Sequence, residues 1–323
     1  MTDHQKQIET AVSAASKIKI REIYFVACGG SKAIMEAPKF IFDKETIIPS
    51  TVFNSNEFIH RAPKALGKTS LVILCSHSGT TPETVAAASF ARNLGAFTIS
   101  LSHIVDSPLW KASEFSIHYD HGPEAIASET SNPILYRLVF SLLDALQPCD
   151  KYKRALVALQ KIQDVFEANK KKYLQAASEY GEKNKREKLI YTMASGPNYG
   201  VAYSFSICLL MEMLWINSSA IHSGEYFHGP FEITDYDTPF LLIKGVGSTR
   251  PLDERAEKFI PRFSKNLEVI DGQNFEWGII DEDLREYFCP IIVSTILRTY
   301  AEAIAFSTGH PLSVRRYMWR LQY

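Results

Sequence analysis

Glu22-Ile-Tyr-Phe-Val-Ala-Cys28 runs into Gly29-Gly30-Ser31 and then into a helical pattern from Lys32. The unit recurs at Ser70-Leu-Val-Ile-Leu-Cys75, which ends in Ser76-His-Ser-Gly-Thr-Thr81 before a helix through Val85-Ala-Ala-Ala-Ser-Phe-Ala-Arg92. It recurs once more at Ala96-Phe-Thr-Ile-Ser-Leu101, ending in Ser102-His103. Such short apolar runs, punctuated by Gly and Ser, predict buried strands. Strands alternating with helices predict an α/β fold, with a parallel sheet covered on both faces.

Working outward, a helix is expected over about residues 4–18 and another over about 134–147. From Asp150 to Lys188 the composition turns to Lys and Glu with apolar residues at helical spacing, which predicts a helical connector. The strand pattern then restarts at Leu189-Ile-Tyr-Thr-Met-Ala194, turns through Ser195-Gly-Pro-Asn-Tyr-Gly200 and enters a long apolar helix. Further strands are expected at Pro239-Phe-Leu-Leu-Ile243 and Leu267-Glu-Val-Ile270. The two halves read as a diverged duplication. The expected division is a first domain over 1–150, a connector over 151–188, and a second domain over 189–323 that includes a basic, aromatic tail from His310.

The 323 residues are 46% hydrophobic and 22% charged, with a formal net charge of -1. A near-neutral chain has no global field to attract nucleic acid or an anionic membrane. No apolar segment follows Met1-Thr-Asp-His-Gln-Lys6, so no signal peptide is expected. No uninterrupted apolar run reaches about 18 residues, so no membrane span is expected. Five scattered cysteines without a C-x-x-C pair predict reduced thiols and a cytoplasmic protein. Nine histidines include the close pair His118 and His121 but no H-E-x-x-H, and no metal site is expected.

Ser76-His-Ser-Gly-Thr-Thr81 is the most specific short signal. Four hydroxyls and a glycine lie where a strand becomes a helix, a position suited to holding a phosphate. A plain helix cap explains one or two hydroxyls, not four. Gly30 and Ser31 supply a second approach of backbone to ligand, although tight turns commonly need glycine anyway. His77 adds a donor or points to solvent. Ser128 reaches a ligand or caps a helix. Neither G-x-x-x-x-G-K-[ST] nor G-x-G-x-x-G occurs at these turns, which disfavours nucleoside triphosphates and dinucleotides.

Glu212 lies inside Val201-Ala-Tyr-Ser-Phe-Ser-Ile-Cys-Leu-Leu-Met-Glu-Met-Leu-Trp-Ile-Asn217. A carboxylate in such a stretch needs a partner or a purpose. One reading is a structural carboxylate satisfied by Arg, Tyr or backbone; the other is a catalytic base. Sixteen residues on, His228 in Gly224-Glu-Tyr-Phe-His-Gly-Pro230 is either a turn histidine or an acid/base partner. Glu225 and Glu232 flank it and could orient the imidazole, or simply face solvent. Arg250 is expected to start or cap a helix.

Cys28-Gly-Gly-Ser31, Ser76-His-Ser-Gly-Thr-Thr-Pro-Glu-Thr84 and Gly224-Glu-Tyr-Phe-His-Gly-Pro-Phe-Glu232 together resemble the sugar isomerase (SIS) family, over about residues 20–323. Met211-Glu-Met-Leu-Trp-Ile-Asn-Ser218 and the ending from His310 resemble its fructosamine 6-phosphate deglycases, fructoselysine 6-phosphate deglycases in particular. The resemblance implies two tandem five-stranded parallel-sheet sandwiches in a homodimer or larger homo-oligomer. It also implies that Ser76, Ser78 and Thr81 hold a sugar phosphate, and that Glu212 and His228 are the acid/base pair, with the imidazole able to come from a neighbouring subunit. The implied activity converts a fructosamine 6-phosphate to glucose 6-phosphate and a free amino acid, without metal or redox cofactor.

The aminotransferase branch of the family carries a tail lysine that forms an imine with the sugar. Arg316 stands at the matching position here, and a guanidinium stays protonated and is a poor nucleophile. A second lysine of that branch is matched by Leu209. Arg315 and Arg316, with Arg320, are candidates for pairing with the amino-acid carboxylate of the substrate; a solvated basic tail or a dimer contact explains them equally well. The alternatives are a deglycase for another glycated amino acid (fructose-asparagine, glucoselysine), an aldose–ketose isomerase, and a non-catalytic phosphosugar sensor.

Overall fold

A computed structural model describes residues 3–321. The chain divides into two compact units. One runs to Gln163 and takes in Ile279–Leu284; the other comprises Asp164–Gly278 and the chain from Arg285 onward. The division falls inside the expected connector, which is two helices, one in each unit.

The first unit opens with α1 (Asp3–Ala15) and β1 (Glu22–Ala27), then α2 (Gly29–Ala33), α3 (Glu36–Glu45), β2 (Ser50–Asn54) and α4 (Ser55–Arg61). It continues through β3 (Ser70–Cys75), α5 (Pro82–Asn93), β4 (Phe97–Ser102), α6 (Pro108–Ala112), β5 (Phe115–His118), α7 (Ser131–Leu146) and α8 (Asp150–Gln160). Its sheet is parallel, in the order β2-β1-β3-β4-β5. Every residue of β3 and β4 is buried, as expected for central strands covered on both faces. Tyr24, Val26, Val72 and Leu74 on one face pack with Phe58 of α4 and Ala87, Ala88 and Ala91 of α5. The small alanines let α5 lie close to the sheet. Pro82, in the first turn of α5, has no N–H to satisfy there.

The second unit runs through α9 (Ile162–Asn184, whose first residues precede the division), β6 (Leu189–Ala194), α10 (Tyr199–Ser204), a π-helix (Phe205–Met213) and β7 (Asn217–His222). Then come β8 (Phe240–Lys244), α11 (Arg250–Phe259), β9 (Leu267–Asp271) and α12 (Arg285–Thr308). Its sheet is also parallel, in the order β7-β6-β8-β9. The resemblance implied five strands here, and four are present among the described residues. After β9 the chain passes through short 3₁₀ turns at Gly272–Asn274 and Glu282–Leu284 and then enters α12 without pairing to the sheet. The stretch Glu282–Thr308 is long and apolar enough to cross a membrane, yet 67% of its most apolar window is buried inside the protein, like the core helix of a globular unit.

Candidate active site

In the first sheet the strand order reverses between β1 and β3, whose last residues Ala27 and Cys75 pair directly. Ligands of open α/β sheets bind beyond the carboxyl ends of the strands at such a point. Gly29-Gly30-Ser31 and the hydroxyl turn of residues 76–81 both leave the sheet there. A chain of side chains ties them together. The Ser31 hydroxyl and the Tyr119 hydroxyl both hydrogen-bond the Cys75 thiol, and Tyr119 Oη lies 3.0 Å from His77 Nδ1. Burial pushes the Cys75 thiol up to about 12, so it stays neutral.

The hydroxyls of the turn point at each other. Ser76 Oγ lies 2.8 Å from Thr81 Oγ1, and Ser78 Oγ lies 2.7 Å from Thr80 Oγ1. Thr81 is the N-cap residue of α5, but its side chain makes no capping hydrogen bond. Capping therefore does not account for this hydroxyl, and the helix N-terminus it borders favours an anion. Gly79 has φ +67°, and a Cβ there would collide with the Ser107 side chain, so the turn requires glycine. The His77 ring stacks on His103 and meets His121 edge-on. Burial, helped by these two imidazoles, lowers its pKa to about 4, so it is neutral at pH 7. Ser128 is buried on a 3₁₀ turn, its hydroxyl 3.4 Å from Glu129 Oε1.

The corresponding turns of the second unit, after β6 and β8, are closed by the unit's own side chains. Ser195 Oγ donates to the Thr249 carbonyl. The Glu286 carboxylate packs against Gly247 and accepts from both the N–H and the hydroxyl of Ser248, at 2.7 and 2.8 Å. Arg250 does begin α11, and its guanidinium forks onto Asp271 at 2.7 and 2.9 Å. An internal carboxylate thus takes the turn donors of the second unit, whereas the hydroxyls of the first unit's turn pair with one another. No sequence signal marked Glu286.

Glu212 stands on the π-helix just before β7. The sequence predicts a buried carboxylate on an α-helix. Instead the wider i→i+5 turns, of a kind often found at functional sites, carry the side chain to a half-buried position. It has a partner 103 residues away: Arg315 Nε and Nη2 reach Glu212 Oε1 at 3.0 and 2.9 Å. The Arg315 side chain is only 7% exposed and also donates from Nη1 to the Leu312 and Val314 carbonyls. Arg315 is thus engaged with Glu212, whereas Arg316 stacks 4.0 Å above the Trp215 ring and remains exposed, as does Arg320. The tail reaches this place because His310 Nε2 lies 3.0 Å from the Met213 carbonyl and its ring meets Trp215 edge-on. Glu212, Trp215, Asn217, Arg315 and Arg316 line a cavity of about 300 Å³. The last two residues of the tail, Gln322 and Tyr323, lie outside the described residues.

His228 is not in this cavity. It is exposed on the turn that follows β7, where its backbone N–H donates to the Glu225 carbonyl. The neighbouring Phe227 carries the Arg255 guanidinium 4.0 Å above its ring. Glu212 precedes the first residue of β7 and His228 follows its last, so the two lie toward opposite ends of one strand. Glu225 and Glu232 are exposed beside His228.

Two parallel α/β units, one with a turn of four hydroxyls at its switch point and one whose matching turns are tied to its own side chains, define the class. A family model for the SIS domain matches residues 18–143. The chain is 48% identical to fructosamine deglycase FrlB of Bacillus subtilis, over 94% of this chain and 93% of that one. The chain belongs to the SIS-domain family. Within the family it stands beside proteins named as deglycases. Fructoselysine 6-phosphate deglycase of Escherichia coli O157:H7 is 28% identical over 96% of this chain and 89% of that one. The crystal structure of a candidate phosphosugar isomerase from Bacillus subtilis superposes with a TM-score of 0.96 at 46% identity, covering 98% of this chain and 97% of that one.

Proposed function

We propose that this protein is a fructosamine 6-phosphate deglycase, with fructoselysine 6-phosphate as substrate, acting as a cytoplasmic homodimer. The observation that carries the reading is the full-length similarity to a fructosamine deglycase. The cavity around Glu212 adds chemical support. The Glu212 carboxylate lines the cavity, oriented by Arg315, and the exposed Arg316 beside it suits a carboxylate-bearing substrate.

The phosphate is held by Ser76, Ser78 and Thr81, with Gly30, Ser31, His77 and Ser128 lining its approach. The open-chain substrate carries an amine at C1 and a ketone at C2. Glu212 takes the C1 proton while His228, as acid, protonates the C2 oxygen, giving an enaminol. Reprotonation at C2 leaves a protonated imine at C1 and a hydroxyl at C2. Water adds to the imine carbon, and the C1–N bond breaks with the nitrogen protonated. Glucose 6-phosphate and lysine are released. The substrate brings its own nitrogen, so Arg316 in place of an imine-forming lysine is no obstacle. His228 comes from the second subunit, because it lies toward the end of β7 remote from Glu212. The free cysteines, of which Cys75 and Cys289 are buried, suit a reducing compartment.

The test is turnover of a panel of fructosamine 6-phosphates compared by kcat/KM, with glucose 6-phosphate and the free amino acid both measured. Fructoselysine 6-phosphate is expected to rank first. A higher kcat/KM for a fructose-asparagine 6-phosphate would change the amino acid, and for a glucoselysine 6-phosphate the sugar portion, but either would keep the class. Turnover of fructose 6-phosphate alone would make the protein an isomerase. Binding without turnover would make it a sensor.

A further inference from the structure

A cluster outside the proposed catalytic machinery joins residues from three places in the first unit. His4 of α1 is buried, with 8% of its surface exposed. His118 ends β5, and Asp120 follows it. The three side chains bring one donor atom each to a common point. His4 Nε2 and His118 Nδ1 are 2.8 Å apart, and Asp120 Oδ1 is 3.5 Å from the first and 3.7 Å from the second. A triangle with these sides has its centre about 2.0 Å from each corner, which is the bond length of Zn²⁺ to imidazole nitrogen and carboxylate oxygen.

The surroundings are those of a metal ligand set. His4 Nδ1 lies 2.7 Å from Glu129 Oε2. The carboxylate can only accept there, so Nδ1 carries the proton and Nε2 turns a bare lone pair toward His118 and Asp120. A carboxylate behind a ligating histidine fixes its tautomer and raises its basicity. Arg137 Nη1 reaches both oxygens of Glu129, at 3.1 and 3.2 Å, and offsets its charge. Asp120 then supplies the one uncompensated negative charge facing the two nitrogens. His118 and Asp120 remain partly open to solvent, so water can add as a fourth ligand, with the close His4–His118 pair spreading slightly as the ion leaves the plane of the three atoms.

We propose that His4, His118 and Asp120 form a binding site for a divalent transition-metal ion, with Zn²⁺ the best fit and Glu129 as the orienting carboxylate. Two nitrogens and one oxygen suit zinc better than the oxygen-seeking Mg²⁺ or Ca²⁺. The ion would tie α1 to the end of β5. It would also lie at the end of a histidine stack, His118 on His103 and His103 on His77, that leads to the hydroxyl turn.

Co²⁺ titration of untagged, chelator-treated full-length protein tests the site by its visible absorption. One equivalent per chain with the intense bands of a tetrahedral ion is expected, together with a rise in melting midpoint on adding Zn²⁺. Asp120→Asn and His118→Ala are expected to abolish the bands, and Glu129→Gln to weaken binding about 10–100-fold. His60→Ala, an exposed histidine on α4, is expected to leave the bands unchanged. Circular dichroism in chelator separates loss of the site from loss of fold, and Asp120→Asn, made at a partly exposed position, is the variant expected to stay folded. Absence of saturable Co²⁺ binding would overturn the proposal, as would binding that a folded Asp120→Asn variant retains in full.

Discussion

Glu212 and His228 provide the sharpest test of the proposed chemistry. Six residues of β7, Asn217–His222, separate the segments that carry them. At a rise of about 3.3 Å per residue the strand is about 17 Å long, whereas general acid/base work needs atoms within about 3 Å. If both groups serve one substrate, each functional site takes its glutamate from one chain and its histidine from another. Glu212→Gln and His228→Asn are each expected to lower kcat by at least about 10²-fold as pure homodimers. In a heterodimer of the two variants, one site carries both lesions and the other carries neither. Co-expression with two different tags and sequential purification isolates that heterodimer. Its expected activity is about half that of the wild-type dimer, and an unsorted mixture of the three dimers should show about a quarter. Phosphate-ligand binding, measured alongside, should be nearly unchanged in every form. A purified heterodimer as inactive as its parents would refute the reasoning and require the pair to act within one chain or not at all.

Arg315→Ala removes the cation from a half-buried carboxylate and should lower stability by about 1–3 kcal/mol, read as a shift in urea midpoint; Arg315→Lys should recover part of it, and an unchanged midpoint would mean that solvent already screens the pair. Gly79→Ala forces a side chain into left-handed backbone, at a cost of about 1–2 kcal/mol before the collision with Ser107 is counted. Its phosphate affinity should fall together with its melting midpoint. His77 titrates near 4 when folded and near 6.5 when unfolded, so the unfolded chain binds more protons between those values and stability falls as pH drops through that window. His103, His121 and Tyr119 face the ring, and His77→Asn should flatten the melting midpoint between pH 6.5 and 4 relative to wild type.

Legibility followed burial. The strands predicted at Glu22, Ser70, Ala96, Leu189, Pro239 and Leu267 include every central strand, whose two covered faces demand an unbroken apolar run. The strands not anticipated, β2, β5 and β7, all lie at sheet edges. They read Ser-Thr-Val-Phe-Asn, Phe-Ser-Ile-His and Asn-Ser-Ser-Ala-Ile-His, half polar because one side or end meets water. The fifth strand of the second sheet was expected from resemblance alone, and the described chain enters α12 instead.

What the chain encodes locally it encodes plainly: strand, Gly/Ser turn and helix, the four hydroxyls at residues 76–81, and one carboxylate in an apolar helical stretch. These depend on backbone geometry and on neighbours a few residues away. The remaining features depend on contacts across the sequence. Arg315 meets Glu212 over 103 residues, and Glu286 meets Ser248 over 38. His4 meets His118 over 114, where the sequence directed attention to His118 and His121. No periodicity records such meetings, because each is produced by the order in which strands pair and helices pack. The sequence by itself determined which side chains could do chemistry; the tertiary structure decided which of them face one another.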